Sequence, residues 1–171
     1  MKLGEYPPFA APISKQLENL LDADNLALYR KGLTCEGQGL GIGAFGYYRR
    51  VVENQWKRII IETRKAAERI GVDEKELAIF DEALAQTQFS ASVAAIKVPP
   101  RLLILKGQNP VTMLHDVYSA GLHAETDETC LELAADLRVV LNALIDRINE
   151  ALQDHADLEN AARRIQQRPQ R

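Results

Sequence analysis

Chemistry near neutral pH needs groups that move protons or hold charge, and in this chain such groups gather at few places. His123 stands in the turn Gly121-Leu122-His123-Ala124, with Glu125, Asp127, Glu128 and Glu132 close after it. The aromatic-rich run from Phe45 to Glu53 carries Arg49, Arg50 and Glu53. An arginine can stabilise developing negative charge, and a histidine can serve as base or acid. Each group also has a plainer role. A histidine in a turn before a helix can act as a hydrogen-bonding lock, and Arg49 with Glu53 at i,i+4 suits an ion pair that fixes helix packing. The carboxylates around the turn could bind a cation, but helix capping and the positive helix N-terminus account for them. His115 and His155 carry little signal.

Other familiar chemistries lack their residues. Cys35 and Cys130 lie far apart among apolar neighbours, so they read as buried free thiols, not as a disulfide or a zinc site. Gly41-Ile42-Gly43-Ala44-Phe45-Gly46 spells GxGxxG, yet the dinucleotide-binding version must follow a strand and open a helix. What precedes it here looks helical. These glycines suit close approach by another helix, and Gly37 and Gly39 suit a chain break. No cofactor or metal is expected.

The elements that would position these groups are helical. Pro7, Pro8 and Pro12 mark residues 1–12 as an extended arm or linker. A short helix covers Ser14 to Leu21, and Asp22 or Asp24 caps a second through Leu26, Tyr29, Leu33 and Cys35. A long helix follows from about Leu40 to Ile70. Phe45, Tyr48, Val52, Trp56, Ile59, Thr63, Ala66 and Ile70 form its inward stripe, and Gly71 stops it. Its other side mixes Arg50, Lys57, Arg58, Arg64, Lys65 and Arg69 with acids, which reads as a solvated face. Asp73 caps a helix from Glu74 to about Gln86. Residues 89–105 are weakly patterned, and Pro99-Pro100 ends any helix within them. Asn109 caps and Pro110 opens the next helix, which Gly121 ends. Thr126 or Asp127 caps the last long helix, striped by Leu133, Leu137, Val140, Leu141, Leu144, Ile148 and Leu152. Residues 156–171 read as a polar helix with a frayed tail. The expected fold is all-α, an up-and-down bundle of about five to seven helices, with the domain proper over residues 13–155.

Bulk properties narrow the function classes. A chain of 171 residues with 46% hydrophobic and 26% charged side chains suits one folded domain with a real core. The formal net charge of −3 gives no global field to attract nucleic acid, so RNA contact would need a local patch. No apolar run approaches the roughly 18–20 residues of a membrane span. No signal-peptide core follows Met1-Lys2-Leu3-Gly4, and a cytoplasmic protein is expected.

Two segments together carry a family resemblance. Phe45-Gly46-Tyr47-Tyr48-Arg49-Arg50-Val51-Val52-Glu53 resembles a helix of bacterial HEPN-like domains that carries an arginine and a glutamate four residues apart. Asn109-Pro110, Tyr118-Ser119-Ala120-Gly121-Leu122-His123 and Asp127-Glu128-Thr129-Cys130-Leu131-Glu132 resemble the turn that holds the family's histidine before its last helix. The resemblance spans roughly Leu26 to Leu152. It implies a helical bundle, commonly a homodimer, and in many members metal-independent ribonuclease activity in toxin–antitoxin, phage-defence or RNA-processing systems. Active members place an arginine four to six residues before the histidine. Here those positions are Ser119, Tyr118 and Val117, and none is arginine.

Metal-free RNA cleavage needs a base for the 2′-hydroxyl and a cation for the developing phosphorane charge. His123 alone supplies one of these. The first expectation is therefore a non-catalytic HEPN-like module for dimerisation or for binding a protein partner, with Glu53, Asn109 and Gly121 as structural parts of the motif. The alternative is a ribonuclease that draws Arg49 or Arg50 from the neighbouring helix to His123. A third reading is a small-ligand cavity lined by Gly41 to Gly46.

Overall fold

The computed structural model describes residues 12–96, 107–119 and 126–167. The arm up to residue 11, the Pro99-Pro100 stop and the turn with Gly121 and His123 lie outside the described residues. Among the described residues there are seven helices and no strand: α1 (Lys15–Leu20), α2 (Ala23–Gly37), α3 (Gly41–Arg69), α4 (Glu74–Ala85), α5 (Phe89–Ala95), α6 (Pro110–Ser119) and α7 (Asp127–Gln166).

Caps set most of the boundaries. Ser14, Asp22, Asp73 and Thr126 each accept a hydrogen bond from the backbone N–H three residues on, at 3.2, 2.9, 2.9 and 3.2 Å. Asn109 accepts from the Val111 N–H at 3.0 Å. Each such cap contributes about 1 kcal/mol. Leu40 cannot cap α3 with its side chain, and the N-terminus is served from elsewhere in the fold. The Ile42 N–H donates to Asp127 Oδ1 at 2.8 Å, so the first residue of α7 caps α3. Thr126 is free to cap α7 itself. Gly39 and Gly71 take positive φ, 75° and 79°, where the chain leaves α2 and α3.

The bundle is built on α3 against α7, with α2 along α3 and α6 along α7. A Cβ on Gly41 would collide with the Asp127 carbonyl and the Leu131 backbone nitrogen. Only glycine lets the start of α3 lie against the start of α7. Gly43 faces Cys35 Sγ, whereas Gly46 faces open space. The GxGxxG string is thus the first turns of a helix and not a strand-to-helix phosphate loop.

Phe45, Tyr48, Val51, Val52, Ile59 and Ile60 of α3 are buried against Leu137, Leu141, Leu144 and Ile145 of α7 and the inner side of α2. Fully burying one such apolar side chain stabilises by about 1.5–3 kcal/mol. Ile70, expected at the end of the inward stripe, is 41% exposed, because the chain turns away there into Gly71. α5 is separate from α4: the backbone of Gln86 and Gln88 is extended, which breaks the helix for a few residues. Cys130 is buried and Cys35 half-buried, and neither is in a disulfide.

Candidate binding cavity

Arg49, Glu53 and Trp56 recur at four- and three-residue steps and share one side of α3. The α4–α5 connection adds Thr87 and Gln88, α5 adds Phe89 and Ser90, and α6 adds His115, Tyr118 and Ser119. Together they line an open cavity of about 540 Å³. Aromatic rings form part of its wall, among polar side chains. Phe89 is at the centre, with ring centroids 5.9 Å from Trp56, 5.4 Å from Tyr118 and 5.5 Å from His115. The Tyr118 and His115 contacts are edge-on, the arrangement that ring quadrupoles favour.

The charged groups of the cavity have unequal surroundings. The Arg49 guanidinium carbon lies over the Tyr118 ring, 4.9 Å from its centroid. Such a contact is worth about 0.5–2 kcal/mol and leaves the guanidinium N–H groups able to donate. Among the described residues Arg49 makes no ion pair with Glu53, so the expected i,i+4 bridge is replaced by stacking across to α6. The reason is geometric: Arg49 is half-buried beneath α6, whereas Glu53 is exposed at the cavity edge. His115 Nε2 is 3.2 Å from Ser119 Oγ, and its Nδ1 is 3.7 Å from Asp116 Oδ1. A histidine, a hydroxyl and an arginine therefore share this cavity.

Arg50 does not join them. It lies a third of a helical turn from Arg49 and lines a different hollow with Leu28, Ile42, Gly43, Gly46 and Tyr47. His123 and Gly121 lie outside the described residues. Asn109 holds α6 in place: besides capping, its Nδ2 donates to the Ile96 carbonyl at 3.1 Å, which ties α6 to the end of α5.

A second polar cluster is structural. Arg138 of α7 donates from Nε and Nη2 to both oxygens of Glu36 of α2, at 2.8–3.1 Å. The Tyr48 hydroxyl of α3 donates to Glu36 Oε2 at 2.7 Å. Asn142 donates to the Tyr29 hydroxyl at 3.3 Å, and the two tyrosine rings lie 5.1 Å apart. One carboxylate thereby joins three helices. Burial, and then the Glu36 carboxylate that accepts its proton's bond, push the Tyr48 hydroxyl well above the ordinary tyrosine value. Burial also pushes Tyr29 up. Gly32 makes room for this arrangement, since a Cβ there would come 2.5 Å from the Tyr48 ring.

Sequence reading missed both groupings for different reasons. Glu36 and Arg138 stand 102 residues apart, and no local spacing links them. His115, Tyr118 and Ser119, by contrast, sit at i, i+3 and i+4 on one face of α6, a pattern visible in the sequence. Among the described residues no group of three or more His, Cys, Asp or Glu could hold a metal ion, and no helix is long and apolar enough to cross a membrane. The chain matches no family model, and no curated protein or solved structure shows significant similarity to it.

Proposed function

We propose that this chain is a non-catalytic, HEPN-like helical module that binds a protein segment in the cavity between α3, α5 and α6. The observation that carries the proposal is the placement of Arg49, laid on Tyr118 at the side of an open, aromatic-walled cavity. Aromatic and arginine side chains dominate the energetics of protein interfaces. An apolar side chain of a partner would fill the space beside Trp56 and Phe89, and a carboxylate or backbone carbonyl would accept from Arg49. The HEPN resemblance, and a bacterial defence, toxin–antitoxin or RNA-related setting with it, enters through the sequence motifs alone.

Selection of peptides from a random library on the purified chain tests this reading, with Arg49→Ala as the counter-screen. Enriched peptides should pair an apolar residue with an acidic one and bind Arg49→Ala at least about tenfold more weakly. Peptides that bind the variant equally, or no enrichment at all, would count against it.

A second reading rests on a distinct observation: Arg49 and His115 line the same cavity and flank one tyrosine. In a metal-independent ribonuclease, a histidine there would take the proton of the 2′-hydroxyl as its oxygen attacks phosphorus. The bond from phosphorus to the 5′-oxygen would break, that oxygen would take a proton from the protonated histidine or from water, and Arg49 would stabilise the phosphorane charge. His115 is the histidine that lines this cavity, and His123, the base expected from the sequence, lies outside the described residues. Arg50, the other arginine expected to serve, lines another hollow, apart from Arg49 and His115.

A further inference from the structure

The glycines at the start of α3 are not all used within the chain. Gly41 lies against the α7 backbone and Gly43 against Cys35 Sγ, but a Cβ on Gly46 would meet nothing within 4 Å. Glycine inside a helix gives up helix propensity, and at Gly46 no packing among the described residues offsets the loss. What its bare backbone leaves is an open hollow of about 440 Å³, lined by Leu28 of α2 and by Ile42, Gly43, Gly46, Tyr47 and Arg50 of α3. Ile42 is 50% exposed and Leu40, just before α3, is 49% exposed, so apolar surface continues past the hollow. The charge that lines it has one sign. Among the described residues Arg50 makes no ion pair, and Lys31 Nζ lies over the Tyr47 ring, 5.9 Å from its centroid. Two nearby carboxylates are engaged: Glu36 holds Arg138 and Tyr48, and Asp127 caps the Ile42 N–H. Asp24 stands a full turn before Leu28, outside the lining.

We infer that this hollow receives an acidic, amphipathic helix of a protein partner. Ile42, Gly46 and Arg50 recur at four-residue steps over two turns of α3, about 12 Å, which is the kind of row that a crossing helix packs against. At Gly46 the two backbones can approach closely. An apolar side chain of the partner enters between Leu28, Ile42 and Tyr47, and a carboxylate one turn along accepts from Arg50. Lys31, at the Tyr47 edge, favours a second carboxylate and selects against a basic helix. The hollow is too open to enclose most of a small ligand's surface, whereas a helix laid across it brings its own cover. This surface is separate from the Arg49 cavity and independent of what that cavity receives.

Selection of a displayed library of alanine-rich helical peptides, randomised at i, i+3, i+4 and i+7, on the purified full chain decides the matter. Enriched peptides should pair a large apolar residue with a glutamate or aspartate one turn away. Gly46→Leu, which fills the hollow, and Arg50→Glu, which reverses its charge, should each weaken their binding at least about tenfold, while Arg49→Ala leaves it unchanged. A side chain at 46 meets nothing in the chain and Arg50 is exposed, so folding should hold in both variants, and circular dichroism verifies it. No enrichment, peptides indifferent to Gly46→Leu or to Arg50→Glu, or peptides lost in Arg49→Ala instead would overturn the inference. Self-association of the parent, or RNA binding by it, that Gly46→Leu abolishes would give the hollow to a second copy or to RNA and overturn it as well.

Discussion

Arg49 and Arg50 are neighbours in the chain, yet one stacks on Tyr118 inside a cavity and the other lines a separate hollow. Their types and the spacing to Glu53 were legible in the sequence. Which of them faces the cavity was not, because that depends on where α6 lies against α3. The same holds for Glu36, whose partner Arg138 comes from the far end of the chain. At this scale the clearest prediction concerns Tyr48. Tyr48→Phe removes a buried donor to a charged acceptor and should cost about 1.5–3 kcal/mol in denaturant unfolding. The alkaline limb should change with it. Tyrosine in the unfolded chain loses its proton near its ordinary value of 10.0, while the native hydroxyl keeps its own. Above that pH the unfolded state binds fewer protons, so stability is full below about 10 and falls as pH rises beyond it. Unfolding midpoints measured from neutral to strongly alkaline pH should show a shallower fall in Tyr48→Phe, with Tyr29 sustaining the remainder.

At the scale of elements, helix starts were readable where a side chain caps them, as at Ser14, Asp22, Asp73, Asn109 and Thr126. The start of α3 was readable only approximately, because its cap is Asp127, 85 residues from Ile42. The end of α4 near Gln86 was readable, whereas α5 was not, since the residues after Gln88 carry only a weak pattern. Glycine in the first turn of α3 looked like a packing device, and Gly41 is the position where the α7 backbone leaves no space for a Cβ. Gly41→Ala should therefore lose about 1–3 kcal/mol through overpacking, despite a gain of about 1 kcal/mol in helix propensity. Gly46→Ala, which meets nothing, should be neutral or stabilising. Thermal unfolding of the two variants side by side checks the contrast.

For the whole molecule, the all-α bundle follows from the stripes on α3 and α7 together with the caps, and these were readable because both helices are long and amphipathic. The cavity was not readable, since it is assembled from α3, α5 and α6 with the α4–α5 connection, four stretches that no sequence period relates. Its content bears on function in a definite way. An aromatic wall with one stacked arginine suits holding a partner, and the half-buried Glu36–Arg138 pair joins three helices instead. The measurement that separates a binding module from an enzyme is incubation of a mixed RNA pool with the purified chain in EDTA, beside Arg49→Ala, His115→Ala and His123→Ala. The binding-module account predicts intact RNA in every lane. Cleavage by the parent that disappears in Arg49→Ala and in either histidine variant, with circular dichroism unchanged, would contradict it and establish the ribonuclease.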